Sequence, residues 1–473
     1  MKKLLVKNII RRPHSLLALM LAMLLVSACQ TIEPVTRPEI AVNESWRVAA
    51  QPDAQTDIDS EWWQNFSSPQ LNLLIEKALR QSPDLLIAAE RVRQAELQMN
   101  IAGASLFPSF SLGASSGSSR TRAEGTGWDE GDSSRVSLSA SYEVDLWGRL
   151  SANRAASHSN FLASQFDFDA ARLSITAGVA NAWFQYLALQ QRILTAQENI
   201  RIAQRVHDIV EARYQNGVAS AGDRARQRTN LLTQQAALPS LELQSRQTLA
   251  ALAILVGETP GSFLLATENH EPLMALDLPA IAADVPAVAL TRRPDLAASE
   301  AQLQAADANV AAARAALLPT VQLSASAGRA AASLFSLSDA RDSTSWSVSL
   351  AQSLFDGGRL RYQKQLSESN RVALIEQYRR AIYVALQEID DALDRTAVSR
   401  LQEQLQRDIS EQAERTLELT EVRYREGSDD LLTLLDAQRS VFQARDQLAV
   451  QRLARLNAAV DLYKALGGGW QPE

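Results

Sequence analysis

The chain carries one unit twice. Arg80-Gln81-Ser82-Pro83-Asp84-Leu85 matches Thr291-Arg292-Arg293-Pro294-Asp295-Leu296, and Phe107-Pro108 matches Leu318-Pro319, each pair 211 residues apart. Gly148-Arg149-Leu150 matches Gly358-Arg359-Leu360, and Arg213-Tyr214-Gln215-Asn216-Gly217 matches Arg423-Tyr424-Arg425-Glu426-Gly427, each 210 apart. One register held by four anchors requires a fold built from two copies of one architecture, joined near residues 258–284.

Each copy reads in the same order. A helix with Pro at its start is predicted over 84–106 and again over 295–317, ended by Pro108 and Pro319. Alternating segments follow. Phe110, Leu112 and Ala114, then Val136, Leu138, Ala140 and Tyr142, are separated mostly by Ser, with a Gly/Ser-rich loop holding Trp128 expected between them. Val321, Leu323 and Ala325, then Trp346, Val348 and Leu350, repeat the pattern, and period two with one apolar face means strands. Residues 150–214 hold no Pro and only Gly178. Ile175, Val179, Ala182, Tyr186, Leu189, Ile193, Ala196, Ile200 and Ala203 step by 4 and 3, a heptad seam that predicts supercoiling. Such a helix is ~97 Å long at 1.5 Å per residue. The second copy runs over 360–425, with Ile382, Leu386, Ile389 and Leu393 at the same spacing. Gly217 and Gly427 supply left-handed caps, and return helices are expected over 222–256, with a kink at Pro239, and over 430–466.

The first 28 residues are of another kind. Lys2, Lys3, Lys7, Arg11 and Arg12 precede an apolar run from Leu16 to Ala28, too short to span a bilayer as a helix. This is the pattern of an export signal. Its end, Leu25-Val26-Ser27-Ala28-Cys29, resembles the lipobox of bacterial lipoproteins, and Cys29 is the only cysteine in the chain. Without the signal the formal charge falls from −7 to −12. By the same resemblance, Gln30 in place of Asp favours the outer membrane.

One cysteine excludes an internal disulfide, and His14, His158, His207 and His270 are not at ligand spacing. His207 falls on the seam, where a hydrogen-bonded core or interface residue is expected rather than a ligand. No nucleophile–base constellation or phosphate loop speaks for an enzyme, and nothing marks a nucleic-acid binder. Four strands per chain leave two open edges. The smallest single-chain outer-membrane barrels need eight strands, and an open edge cannot face lipid. Several copies must therefore combine, unless the chain is a tethering lipoprotein whose sheet sits in water.

The chain resembles TolC-like outer membrane efflux channels of the OprM/NodT lipoprotein type. The resemblance rests on Cys29, Trp62-Trp63-Gln64-Asn65-Phe66, Tyr142-Glu143-Val144-Asp145-Leu146-Trp147-Gly148-Arg149, Phe355-Asp356-Gly357-Gly358-Arg359, Arg423-Tyr424-Arg425-Glu426-Gly427 with Leu431 to Arg439, and Ala465-Leu466-Gly467-Gly468-Gly469-Trp470. It implies a mostly α fold with a small transmembrane β-barrel contribution. A homotrimer would form a 12-stranded barrel and a 12-helix periplasmic tunnel, serving a periplasmic adaptor and an inner-membrane pump. The implied cargo is small molecules such as drugs, with no cofactor beyond lipid on Cys29. The chain then divides into a signal (1–28), an equatorial segment (29–70), a first repeat (71–257), an equatorial linker (258–284), a second repeat (285–466) and a tail (467–473).

The resemblance also places a periplasmic gate at Leu432, Asp436 and Arg439. Leu432 rings would plug the pore, and Asp436 with Arg439 would brace the closed state. A further acidic position of relatives is Thr433 here, and Asp223, its counterpart in the first copy, is the candidate compensating charge. The tips at Gly217 and Gly427 would meet the adaptor. Trp62 and Trp63 are expected to pack in the equatorial belt.

Overall fold

The computed structural model describes residues 45–47, 58–122, 124–125, 127–265, 271–279, 281, 283 and 286–471. The export signal, Cys29 and His270 lie outside them. The helices are α1 (Pro69–Gln81), α2 (Pro83–Ala104), α3 (Arg149–Gln215), α4 (Ala221–Leu255), α5 (Pro286–Thr291), α6 (Pro294–Ala315), α7 (Arg359–Arg425) and α8 (Leu431–Ala465). Strands β1 (Ser109–Arg122) and β2 (Trp128–Val144) lie between α2 and α3; β3 (Thr320–Ala331) and β4 (Arg341–Ala351) lie between α6 and α7. The duplication is exact in helix length. α2 and α6 have 22 residues each, α3 and α7 have 67, and α4 and α8 have 35.

The chain divides into two compact units. One holds residues 93–163 and 299–378 with all four strands; the other holds the remaining described helical residues. In the first unit the strands form one antiparallel sheet in the order β1-β2-β3-β4, so β2 and β3 join the two copies while β1 and β4 are left as edges. Phe110, Leu112, Trp346, Val348 and Leu350 are exposed on one face. The other face is hydroxylic: Ser109, Ser141, Ser324 and Ser347 lie in one cross-strand row, and Ser111, Ser139, Ser326 and Ser345 in the next. The strands leave the sheet on matched caps. The Asp145 carboxylate accepts from the backbone N–H of Leu150 (2.9 Å) and Ser151 (2.8 Å) at the start of α3. Asp356 does the same for Gly358 and Leu360 (both 3.0 Å) at the start of α7. Helix N-termini have unsatisfied N–H groups, which is why both copies keep Asp there.

One expectation changes. The Gly/Ser-rich stretch is strand, not loop: β1 runs to Arg122 and β2 starts at Trp128. Backbone pairing continues where apolar alternation has ended. Pro239 lies inside helix α4, as expected.

In the second unit, Trp62, Phe66, Phe184, Leu252, Leu273 and Tyr463 belong to one core. Trp62 stacks on Tyr463 with centroids 4.9 Å apart. The expected seam of α3 is partly met: Ile175, Val179, Leu189 and Ala203 are buried, while Ala182, Tyr186, Ile193, Ala196 and Ile200 are only half-buried. In α7, Ile382, Ala385, Ile389, Ala392, Ser399, Glu403, Ser410, Leu417 and Tyr424 are buried, a stripe stepping by 3, 4 or 7 that admits polar residues. Gly257 and Gly467 hold positive φ (80° and 86°) after the two return helices. A Cβ at either would strike a backbone carbonyl, that of Gln81 or of Arg292, just before α2 or α6. Only glycine allows this approach, and it recurs at the repeat spacing.

Candidate functional site at the helical tips

Each long helix turns into its return helix by the same device. After α3, the Val218 N–H donates to the Arg213 carbonyl (2.8 Å) and the Gly217 N–H to the Tyr214 carbonyl (2.9 Å), with Gly217 at φ 73°. After α7, Ser428 donates to Arg423 (2.9 Å) and Gly427 to Tyr424 (3.1 Å), with Gly427 at φ 79°. Both are Schellman turns, which satisfy carbonyls at the end of the helix.

The return helices are capped with the same chemistry in exchanged positions. Ser220 caps α4: its hydroxyl accepts from the Asp223 N–H (3.1 Å), and the Asp223 carboxylate accepts from the Ser220 N–H (3.1 Å) and hydroxyl (2.8 Å). Asp430 caps α8, accepting from the Thr433 N–H and hydroxyl, both at 2.8 Å. Hydroxyl and carboxylate have changed places, and each tip keeps one capping acid. The Ser220 hydrogen bonds hold the Asp223 carboxyl below its usual range, and the Thr433 N–H does the same for Asp430. Asp223 and Thr433, expected as accessory gate residues, are both engaged in helix capping.

The two tips pack on each other. Ile202, Val206 and Val210 of α3 share a core with Leu417 and Tyr424 of α7 and with Leu431, Leu434, Val441 and Phe442 of α8. The Arg213 guanidinium lies 4.8 Å from the Tyr424 ring centre and donates to the Tyr424 carbonyl (3.2 Å); Arg224 covers Tyr214 at 4.3 Å. Burial pushes the Tyr424 phenol up. These contacts give Arg213, Tyr214 and Tyr424 of the two anchors a role beyond the turn that the sequence suggested, while Arg423 pairs with Asp429 at 2.9 Å.

On α8, Leu431, Leu434, Ala437 and Gln438 face inward. Leu432 is 53% exposed, and Asp436 and Arg439 are exposed and paired at 2.6 Å. Positions 432, 436 and 439 fall on one helix face. Leu432 is therefore not a packing residue of its own hairpin, and the structure brings the three candidate gate residues together on an outward stripe. His207 is half-buried, and its Nδ1 has no hydrogen-bond partner among the described residues.

One cluster was not legible beforehand. Glu403 of α7, 1% exposed, accepts from Arg407 (3.0 Å), Arg452 (3.2 Å) and Arg455 (2.9 Å). Buried Arg452 also donates to the carbonyls of Leu273, Met274 and Leu276, tying the linker to α7 and α8. Among the described residues, no group of His, Cys, Asp or Glu is arranged to hold a metal, and no helix is long and apolar enough to cross a membrane.

A sheet with an exposed apolar face and unpaired edges, continuous with very long helical hairpins, defines a protomer of an oligomeric channel. The comparisons with known proteins give the family. The model of outer membrane efflux proteins matches residues 74–258 and 285–468. The chain is 41% identical over 473 residues to the pyoverdine export outer membrane protein OpmQ of Pseudomonas putida, with 98% of each chain covered. It is 31% identical over 466 residues to the probable efflux pump outer membrane protein TtgC of the same species, with 96% of each covered. The solved open state of the Neisseria gonorrhoeae MtrE outer membrane channel superposes with a TM-score of 0.82 at 27% identity, covering 93% of this chain and 98% of that one.

The chain belongs to the outer membrane efflux protein family. It is a channel subunit of the Gram-negative outer membrane, not an enzyme, and its family works without a cofactor. Three copies close a 12-stranded barrel and form a periplasmic tunnel of twelve helices, which serves an adaptor and an inner-membrane pump.

Proposed function

We propose that this channel exports pyoverdine or a closely similar siderophore, and that it is closed at the tips by Leu432, Asp436 and Arg439. The cargo reading is supported by full-length identity to a pyoverdine exporter. Efflux of small amphipathic compounds is the second reading, favoured by the likeness to TtgC. A strain lacking the gene should accumulate pyoverdine in the periplasm and lose it from the medium. Unchanged export, with a gain in drug sensitivity, would favour the second reading.

The observation that carries the gate is the outward stripe of Leu432 with the Asp436–Arg439 pair. Three copies would present three leucines to the axis, with charged pairs one and two turns along the helix. In planar bilayers, Asp436→Ala with Arg439→Ala should raise the resting conductance of the isolated trimer, as should Leu432→Ala. If neither moves it, the gate lies elsewhere. Thr433 and Asp223 support the gate only by fixing the helix starts, and the tips at Gly217 and Gly427 would be the adaptor contacts. The lipid anchor on Cys29 belongs to the same proposal. So does the division into a belt (29–70, 258–284 and 467–473) and two repeats (71–257 and 285–466), supported for the first two belt segments by the core that Phe66 and Leu273 share with Tyr463 of the second repeat.

A further inference from the structure

The sheet distributes its arginines unequally between its two faces. On the face carrying Phe110, Leu112 and Trp346, every described arginine has a partner across the strands. Arg120 pairs with Glu130, Arg329 pairs with Asp342 at 2.7 Å, and Arg122 lies 6.0 Å from the Trp128 ring centre. The opposite face is uncharged over three successive rows. These are Ser109-Ser141-Ser324-Ser347, Ser111-Ser139-Ser326-Ser345, and Gly113-Ser137-Gly328-Ser343. The next row outward is Ser115-Arg135-Ala330-Arg341. Both arginines are exposed, and neither has an ion-pair partner among the described residues. The acids on this face stand apart. Glu143 is held by Arg149 at 2.7 Å, and Asp129 is six residues from Arg135 along β2, about 20 Å at strand spacing.

In the closed barrel the apolar face meets lipid, so the serine face lines the lumen. Arg135 and Arg341 sit two strands apart, roughly 10 Å at normal strand spacing. Three copies then bring six guanidinium groups to one level of a hydroxyl-lined bore. Rings of Arg or Lys select anions, and a planar guanidinium matches a carboxylate with two parallel hydrogen bonds. We propose that Arg135 and Arg341 form an anion-recognition row on the exit side of the barrel that engages carboxylate-bearing solutes as they leave. This rests on the closed barrel and not on the pyoverdine reading. On the other face Arg120 and Arg329 are neutralised by Glu130 and Asp342, and Arg122 lies against Trp128; Arg135 and Arg341 keep their charge for the bore.

The test is current block by citrate in planar bilayers, with citrate added to each side in turn of the purified, lipidated trimer. Citrate on the extracellular side should block the wild-type channel. The pair Arg135→Ser and Arg341→Ser should raise the half-blocking concentration about tenfold or more, as expected for the loss of charge-assisted contacts. Arg135→Lys with Arg341→Lys should keep block within a fewfold, which separates charge from misfolding. Arg329→Ser, on the lipid face, should change block less than twofold. The proposal is overturned if wild type is not blocked, if the Ser pair is blocked like wild type, or if Arg329→Ser acts as strongly. The last result would assign the effect to anionic headgroups outside the barrel.

Discussion

Glu403→Gln is the most informative single change in the helical unit. The carboxylate serves three arginines, but they differ in their access to water. Arg407 and Arg455 reach solvent; Arg452 is 5% exposed and spends its remaining donors on the carbonyls of Leu273, Met274 and Leu276. Burial pulls the Arg452 guanidinium down, Glu403 opposes this, and Arg455 and Arg407 add repulsion. Removing the one negative charge leaves a buried cation beside two others. The cost of such uncompensated burial is about 3–5 kcal/mol, equivalent to roughly 10²- to 4 × 10³-fold more local opening. Opening would release the linker, so limited proteolysis between residues 258 and 284 of the intact trimer is the assay. Cleavage in Glu403→Gln should accelerate by roughly that factor. Glu403→Met with Arg452→Met removes the charge as well as its partner and should recover at least half of the loss, because the penalty lies in the stranded charge. Linker cleavage unchanged in the single variant, or fastest in the double variant, would refute this account of the cluster.

Gly467→Ala should lower the temperature at which the trimer dissociates on heated gels, by an amount corresponding to ~1–3 kcal/mol or more, since the site combines positive φ with contact on the Arg292 carbonyl. The capping acids Asp223 and Asp430 have lowered folded pKa values, so their stabilisation is complete above the ordinary carboxylate pKa of 3.8 and lost as pH falls through the lower folded value. Protection factors at the tips, with the intrinsic pH dependence of exchange divided out, should therefore stay flat from neutrality to about pH 5 and fall only in stronger acid. Cys29→Ser should abolish incorporation of labelled palmitate. Gly217→Val or Gly427→Val should weaken adaptor coupling, read by crosslinking, while trimers still form.

The repeat was legible because it is written in residues that geometry cannot replace: Pro at helix starts, Asp at helix caps, Gly at positive φ. The long helices followed from seams and from the absence of Pro and Gly, and observed bounds differ from the expected ones by one or two residues at most ends. The outer halves of β1 and β2 were illegible because Ser, Gly, Asp and Arg carry no apolar alternation there. Pairing is held instead by the backbone and by contacts such as Arg120 with Glu130. At the site, the Ser220-x-x-Asp223 spacing was a capping box in plain view, read as a pore charge. Glu403 gave no signal: its partners Arg452 and Arg455 are remote in sequence, and a charge within a helix normally reads as a solvated face.

The two copies are not interchangeable, and their difference shows why one chain is insufficient. Leu86, Ile87, Leu97 and Ile101 of α2 are each more than half exposed and fall within a stripe roughly 100° wide at the helical period of 3.6. At the repeat offset, α6 carries Ala297, Ala298, Ala308 and Ala312 in their place, and Ala298, Ala308 and Ala312 are buried. Small residues let α6 pack closely within its own chain. Large ones on α2 find no cover there, and four such side chains, each more than half exposed, forgo roughly half of the ~1.5–3 kcal/mol that full burial of each is worth. That loss, with the bare edges of β1 and β4, is recovered only by a neighbour. The same duplication that builds the protomer thus assigns its copies opposite tasks: α6 completes the chain, while α2 leaves an apolar stripe for the trimer to cover.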